Sequence, residues 1–257
     1  MIFESHAHYD DERFDEDREE ILASLPACGI GKVVNVGSTF EGCRKSLELA
    51  HRYPYIYAAL GVHPGNIEDL DSESFAWLWE NLKDGKTAAV GEIGLDYHWE
   101  KDLEVQSRQA VRFRQQLDMA REAGLPVIIH SRDAAQETME ILKEAAGQGI
   151  GGVIHCYSYS KEMAREYVRM GYYIGVGGVV TYKNSRKLKE TVRETPMNRI
   201  LLETDCPYLA PEPNRGKRNS SLNLPYVAAE IAKIKEISEE EVIQATYENA
   251  CRLFGVS

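Results

Sequence analysis

Pro126-Val127-Ile128-Ile129-His130-Ser131 is the stretch on which the reading of the fold turns. Its apolar residues are consecutive instead of alternating with polar ones. That is the pattern of a strand covered on both faces, and such strands belong to parallel sheets packed between helices. The flanks agree with this. Upstream, Ala110, Phe113, Leu117 and Ala120 form one apolar stripe within Asp102 to Gly124, where Gly124 and then Pro126 supply a helix stop. Downstream, Ala134 to Ala146 has the spacing of a second helix.

The same strand and helix unit recurs outward in both directions. Short runs rich in Val, Ile, Tyr and Ala lie at Ile2 to His8, Lys32 to Gly37, Tyr55 to Gly61, Thr87 to Asp96, Gly152 to Tyr157, Tyr172 to Gly178 and Arg199 to Asp205. Helices are expected at Glu16 to Cys28, Gly42 to Tyr53, Ser72 to Lys83, Lys161 to Met170 and Ser185 to Thr195. Beyond the eighth strand, the polar loop Pro211 to Ser221 leads to two more helices. The second opens with Ser238-Glu239-Glu240-Glu241, a capping box in which Ser238 and Glu241 satisfy free amides at the helix start. Eight such units in 257 residues predict an α/β fold, a (β/α)8 TIM barrel over 1–257 as a single domain with extra C-terminal helices. A doubly wound open sheet is the alternative. No linker or composition shift divides the chain.

Composition fits an ordinary soluble domain, with 43% hydrophobic and 28% charged residues. With 30 Lys and Arg against 41 Asp and Glu, the net charge of −11 gives no long-range field to draw in a nucleic-acid backbone, so any polyanion must be met locally. Five cysteines without CxxC spacing, and a start at Met1-Ile2-Phe3-Glu4 without a basic, apolar leader, predict a reduced cytoplasmic protein. No run approaches the roughly 18 apolar residues of a membrane span.

Buried strands should not carry ionisable groups without partners, because burial of a lone charge is costly. Five of the eight runs nevertheless do, near their C-terminal ends: His6 and His8, Glu92, His130, His155 and Asp205. In a barrel those ends converge on one mouth, where active sites lie. His6 and His8, two apart on a strand, share a face. Imidazoles alone would repel when protonated and carboxylates alone when ionised, so the mixed cluster points to divalent cations. Six ligands exceed the need of one catalytic ion, which keeps a position open for water, and two ions bridged by a carboxylate fit better. The reaction class is then metal-assisted hydrolysis of an ester, amide or phosphodiester.

His6-Ala7-His8, Gly61-Val62-His63-Pro64, Gly91-Glu92-Ile93-Gly94-Leu95-Asp96-Tyr97, His130-Ser131-Arg132, His155-Cys156-Tyr157-Ser158, Glu203-Thr204-Asp205-Cys206-Pro207-Tyr208-Leu209 and Arg215-Gly216-Lys217-Arg218-Asn219 together resemble the motifs of the TatD family of metal-dependent deoxyribonucleases, in the amidohydrolase superfamily. The resemblance runs in order along essentially the whole chain. It implies a barrel with two divalent ions, of Zn, Mn or Mg, one held by His6, His8 and Asp205, the other by His130 and His155, with Glu92 bridging. Asp205 and Glu92 are the catalytic candidates, Asp205 as acceptor of the proton from water. Glu4 stands where the family often has Asp and is a candidate outer acceptor. Asn219 leads into Ser220-Ser221, where the family commonly has Glu-Pro.

Further candidates have plain structural alternatives. His63 is a substrate contact or a structural histidine beside Pro64. Arg215, Lys217 and Arg218 grip a phosphate or belong to a solvated loop, and Arg132 and Tyr97 divide the same way. Gly147 to Gly152 matches GxGxxG but follows a helix and leads into a strand, the wrong context for a dinucleotide site. Cys156 and Cys206 read as small packed residues. The expected substrate is DNA, as single-stranded ends, with no membrane and no obligate protein partner. An ester or amide, including D-aminoacyl-tRNA, is the alternative substrate, and a binding barrel with structural metals is a third reading.

Overall fold

In the computed structural model, which describes residues 1–256, the chain alternates strands and helices: β1 (Ile2–Ala7), α1 (Arg18–Ser24), β2 (Ile30–Val36), α2 (Phe40–Arg52), β3 (Ile56–Leu60), α3 (Ser72–Asn81), β4 (Thr87–Asp96), α4 (Leu103–Ala123), β5 (Val127–Arg132), α5 (Ala135–Gly147), β6 (Gly152–Ile154), α6 (Lys161–Arg169), β7 (Tyr173–Val176), α7 (Arg186–Glu194), β8 (Ile200–Leu202), α8 (Leu224–Lys235) and α9 (Glu239–Phe254). All adjacent strands pair in parallel and in sequence order, from β1 through to β8. The ring closes at a narrow seam where Ala7 bridges Cys206, His8 N donates to Cys206 O at 2.8 Å and Asp205 N donates to His6 O at 3.0 Å. This is the expected (β/α)8 TIM barrel rather than the open sheet.

Continuous apolar runs become strands because both faces are covered. Val34, Val36, Ala59, Ile128, Val153 and Leu201 pack as one buried set together with Phe3. Alternate residues such as Val33, Ile56, Val127 and Ile129 pack outward under the helices. The last helix closes the set: Phe254 and Tyr247 of α9 meet the Phe3 ring with centroids 5.8 Å and 5.9 Å away. Its capping box is formed, Ser238 N donating to Glu241 Oε2 at 2.9 Å and Glu241 N to Ser238 Oγ at 3.1 Å. Gly124 ends α4 in the left-handed region, where a residue without Cβ is unstrained.

Several boundaries differ from the sequence reading. The helix expected over Glu16 to Cys28 is split, because Pro26 opens a separate 3-10 turn, Pro26–Cys28, after α1. Pairing in β1, β6 and β8 stops at Ala7, Ile154 and Leu202, so His8, His155 and Asp205 lie just past the ladders, on the first residues of the loops. Release from the ladder lets the backbone turn: Cys156 and Asp205 adopt positive φ of 45° and 58°. For residues with a Cβ this conformation costs about 1 kcal/mol or more, and such strain concentrates at functional sites. Among the described residues no helix is long and apolar enough to cross a membrane.

Candidate metal centre

Glu92 is the centre of the arrangement. It is buried midway along β4, a strand with no exposed residue, and its two carboxylate oxygens look at different histidines. Oε1 lies 2.9 Å from His130 Nδ1, 3.3 Å from His155 Nε2 and 3.9 Å from His63 Nε2. Oε2 lies 3.7 Å from His6 Nε2 and 3.8 Å from His8 Nε2. Asp205 closes the second group, its Oδ1 3.7 Å from His6 Nε2 and 3.4 Å from His8 Nε2. The structure therefore brings together all six residues that the sequence put forward as ligands.

The hydrogen bonds of these groups fix where protons and lone pairs lie. His8 Nδ1 contacts Val36 O at 2.7 Å, and a carbonyl only accepts, so Nδ1 carries one proton and Nε2 is left to take either a second proton or a metal ion. That nitrogen faces His6 Nε2 at 3.0 Å. His130 meets carboxylates with both nitrogens, Asp96 Oδ2 at Nε2 (3.0 Å) and Glu92 Oε1 at Nδ1 (2.9 Å), although a neutral imidazole has one proton to donate. A proton or a metal cation must neutralise such contacts. His6, His8 and Asp205, and likewise His63, Glu92 and His130, offer ligand atoms within 4.8 Å of one another. The donor set of imidazoles and carboxylates suits first-row divalent metals, so the residues fit the ions.

Burial and charge set the protonation of the cluster. Burial pushes His8 down, but the bond to Asp205 and the Asp205 and Glu92 charges outweigh it and raise His8 to about 9. His6, 3.0 Å away, is driven well below the usual histidine value by burial and by the His155 charge. Burial alone would raise Glu92, yet the facing histidines, His155 and His63 foremost, hold its carboxyl well below the usual range. The pocket thus keeps an anion inside a ring of imidazoles.

His63 differs from its neighbours. Gly65 N donates to its Nδ1 at 3.0 Å, so in the neutral ring Nε2 carries the proton and points a donor, not a lone pair, toward the site. Burial lowers its pKa to about 4, which keeps it neutral at physiological pH. His63 is accordingly suited to donate a hydrogen bond rather than to hold an ion.

Two acidic residues that sequence reasoning left without a role support the cluster. Glu203 is buried beside His155, with Oε1 3.5 Å from His155 Nδ1 and accepting from Cys156 N at 2.6 Å. Its Oε2 has no hydrogen-bond partner, nor do the Nδ1 atoms of His6 and His155, whose rings stack at 3.7 Å. A Cβ on Gly175 would sit 2.3 Å from Glu203 Oε2, so the carboxylate occupies space that only glycine leaves. Asp96 holds His130 through Oδ2, while its Oδ1 accepts from His98 N (2.9 Å) and Trp99 N (3.1 Å). Glu4 is also fully buried and accepts from His6 N at 3.2 Å and from Thr204 N at 2.9 Å, tying β1 to the end of β8. The signal for Glu203 was present: it stands two before Asp205, just after an apolar run.

These groups open into a cavity of about 700 Å³. His63 and Arg132 line it, as do Lys45, Trp99 and Tyr208. Arg215 and Lys217 are not among its lining residues: the Arg215 guanidinium lies over the Tyr182 ring at 4.2 Å, and Lys217 is exposed. Arg218 is bound to Asp17 and to the Arg13 carbonyl. Tyr97 donates its hydroxyl to Glu137 at 2.7 Å, a structural contact.

Comparison with known proteins agrees with this geometry. The family described as TatD related DNase matches residues 3–255. An uncharacterized metal-dependent hydrolase of Bacillus subtilis, YabD, is 43% identical over 257 residues, covering 100% of both chains. A protein of Cronobacter sakazakii named 3'-5' ssDNA/RNA exonuclease TatD is 32% identical, covering 94% of this chain and 93% of its own. The crystal structure of the TatD homologue YjjV of Escherichia coli superposes with a TM-score of 0.92 at 33% identity, covering 100% of this chain and 98% of that one. With six histidine and carboxylate groups gathered at the mouth of a TIM barrel, and the family match running from one end to the other, the chain belongs to the TatD family of metal-dependent hydrolases.

Proposed function

We propose that the protein is a dinuclear metal-dependent deoxyribonuclease that cleaves phosphodiester bonds of DNA from single-stranded ends. The observation that carries this reading is the two-sided exposure of Glu92, one oxygen toward His130 and His155 and the other toward His6 and His8. His6, His8 and Asp205 would hold one ion and His130 and His155 the other, with the Glu92 carboxylate available to both. Bound Zn, Mn or Mg supplies Lewis acidity there, neutralising phosphate oxygens and lowering the pKa of water.

The protein's own groups complete the chemistry. Asp205, less enclosed than Glu92, accepts the proton of the attacking water. His63 donates its Nε2 proton to a phosphate oxygen, and the fork of Arg132 at the rim takes a second phosphate contact. Arg215 and Lys217, outside the cavity, serve phosphates further along a longer strand. Asp10, Asp11, Glu12 and Glu41 also line the cavity and repel a broad polyanion, which favours a slender end over duplex. The relative named as an exonuclease of ssDNA and RNA supports the substrate class.

The test is time-resolved cleavage of an end-labelled single-stranded oligonucleotide with Mg, Mn or Zn, with chelator, and with Asp205→Asn. A metal-dependent ladder is expected, absent in the variant while its thermal unfolding midpoint stays near that of the wild type. An intact oligonucleotide with metal bound, alongside hydrolysis of ester or D-aminoacyl-tRNA substrates, would replace the nuclease reading with an esterase one.

A further inference from the structure

Trp99 is 76% exposed, yet it lines the cavity that holds the candidate ligands. The other two tryptophans, Trp77 and Trp79, are partly buried against the core. At the rim of this cavity the exposed indole offers an aromatic face, with a large apolar area and one polar tip, to whatever enters. Its position is fixed from below. Trp99 N donates to Asp96 Oδ1 at 3.1 Å, and the other oxygen of Asp96 contacts His130 Nε2 at 3.0 Å. One carboxylate therefore links the indole's backbone to a candidate metal ligand. The ring is also steadied from its sides: the His98 ring meets it edge-on at 4.7 Å and 88°, and the Arg132 guanidinium stands 5.4 Å from its centroid.

Charge around the mouth gives the surface a direction. In a ring of eight strands, the loops after β4 and β5 lie across from those after β8 and β1. The β1 side carries Asp10, Asp11 and Glu12, which repel phosphate, while the β4 and β5 side carries Trp99 and Arg132. Tyr208 and Arg13 pair on the first side as well, the guanidinium 4.5 Å from the ring, but there the Tyr208 hydroxyl is bound to Asp11 and the acidic groups stand beside it, so a strand approaching the ions is held on the second side. We propose that Trp99, backed by Arg132, is a stacking platform for the nucleobase adjacent to the scissile phosphodiester. The platform accepts any planar base, reads no sequence and selects unpaired nucleotides, because a base inside a duplex has both faces occupied. This inference rests on the nuclease reading.

The test compares wild type, Trp99→Ala and Trp99→Phe on two single-stranded oligonucleotides that differ only near their ends. One carries thymidine there, the other 5,6-dihydrothymidine, whose saturated ring keeps the hydrogen-bonding groups and loses planarity. The wild type is expected to cleave the planar substrate about tenfold more efficiently, in line with the stacking of one base, with the difference in KM rather than kcat. Trp99→Ala drops to the level of the saturated substrate on both, and Trp99→Phe recovers most of the preference. Wild-type efficiency in Trp99→Ala, or an undiminished preference for the planar base, would overturn the platform while leaving the nuclease intact. A wild type that cuts neither oligonucleotide removes the nuclease reading, and this inference with it.

Discussion

Gly94→Ala is expected to be among the most damaging single-methyl changes this fold can receive. Gly94 lies in β4 in register with His130 of β5, at φ +147°, a region that side-chain-bearing residues rarely adopt. An alanine Cβ there would sit 1.9 Å from His130 O, 2.9 Å from His130 C and 3.2 Å from His130 N. Ordinary carbon contacts are about 3.5 Å or more, so the two strands would have to part by over an ångström between two ladder partners. Overpacking of this kind costs about 1–3 kcal/mol. The backbone conformation adds about 1–3 kcal/mol. A total near 4 kcal/mol is a large share of the roughly 5–15 kcal/mol that holds a domain together. For a chain of this size it lowers the melting midpoint by roughly 8–16 °C. Urea unfolding followed by circular dichroism measures it directly, as a lower midpoint at unchanged slope. Gly147→Ala is the control: the glycine ends α5, nothing lies within 4 Å of the added Cβ, and the change should be neutral or stabilise by up to about 1 kcal/mol. A Gly94→Ala protein within about 1 kcal/mol of wild type, or a Gly147→Ala protein equally damaged, would refute the steric argument. Because the displaced carbonyl belongs to His130, hydrolysis should fall as well.

Other expectations follow from the charge cluster. Metal at a hundredfold excess over its Kd adds about 2.7 kcal/mol of stability, so chelation should lower the melting midpoint by roughly 5–10 °C; Glu92→Gln should lose most of that metal-dependent rise, read by thermal shift and by metal content. Glu4 provides a pH signature. Burial raises its carboxyl from 4.5 to about 8, against opposing bonds from Thr204 and His6. Its folded value lies above the unfolded one, so its contribution to stability is complete below about pH 4.5 and is lost as pH rises through about 8. The urea midpoint of metal-free protein should therefore decline across this window, and Glu4→Gln should flatten the decline; equal slopes in both proteins would exclude Glu4 as the cause.

The sequence carried the barrel because its strands are doubly covered: runs such as Ile200-Leu201-Leu202 have no polar face and admit only a layered parallel arrangement. The six clustered groups were visible for the converse reason, since Glu92 and His130 break an otherwise apolar pattern, and His6 and His8 stand two apart on one face of β1. Glu203 and Asp96 were harder to assign. Their roles depend on which oxygen faces which ring, and that is set by the loops after β8 and β4, where no periodicity operates. The same limit explains Arg215 and Lys217. Their spacing suggests a phosphate grip, but where a polar loop carries its side chains depends on contacts such as Arg215 over Tyr182, which no pattern in the sequence announces. Trp99 was hidden too, because an aromatic residue after a strand reads equally well as core.

The seam between β1 and β8 has a consequence for how the protein comes into being. His6 and His8 are made some two hundred residues before Asp205 and the Cys206 carbonyl that receives His8 N. Synthesis at about 5–20 residues per second leaves the β1 edge without its last partner for on the order of ten seconds or more. During that interval the first two histidines have no carboxylate from the far end of the chain, so the His6, His8 and Asp205 group cannot exist on a nascent chain. Its assembly and the completion of the barrel are one event, and a chain cut short before residue 205 would lack both.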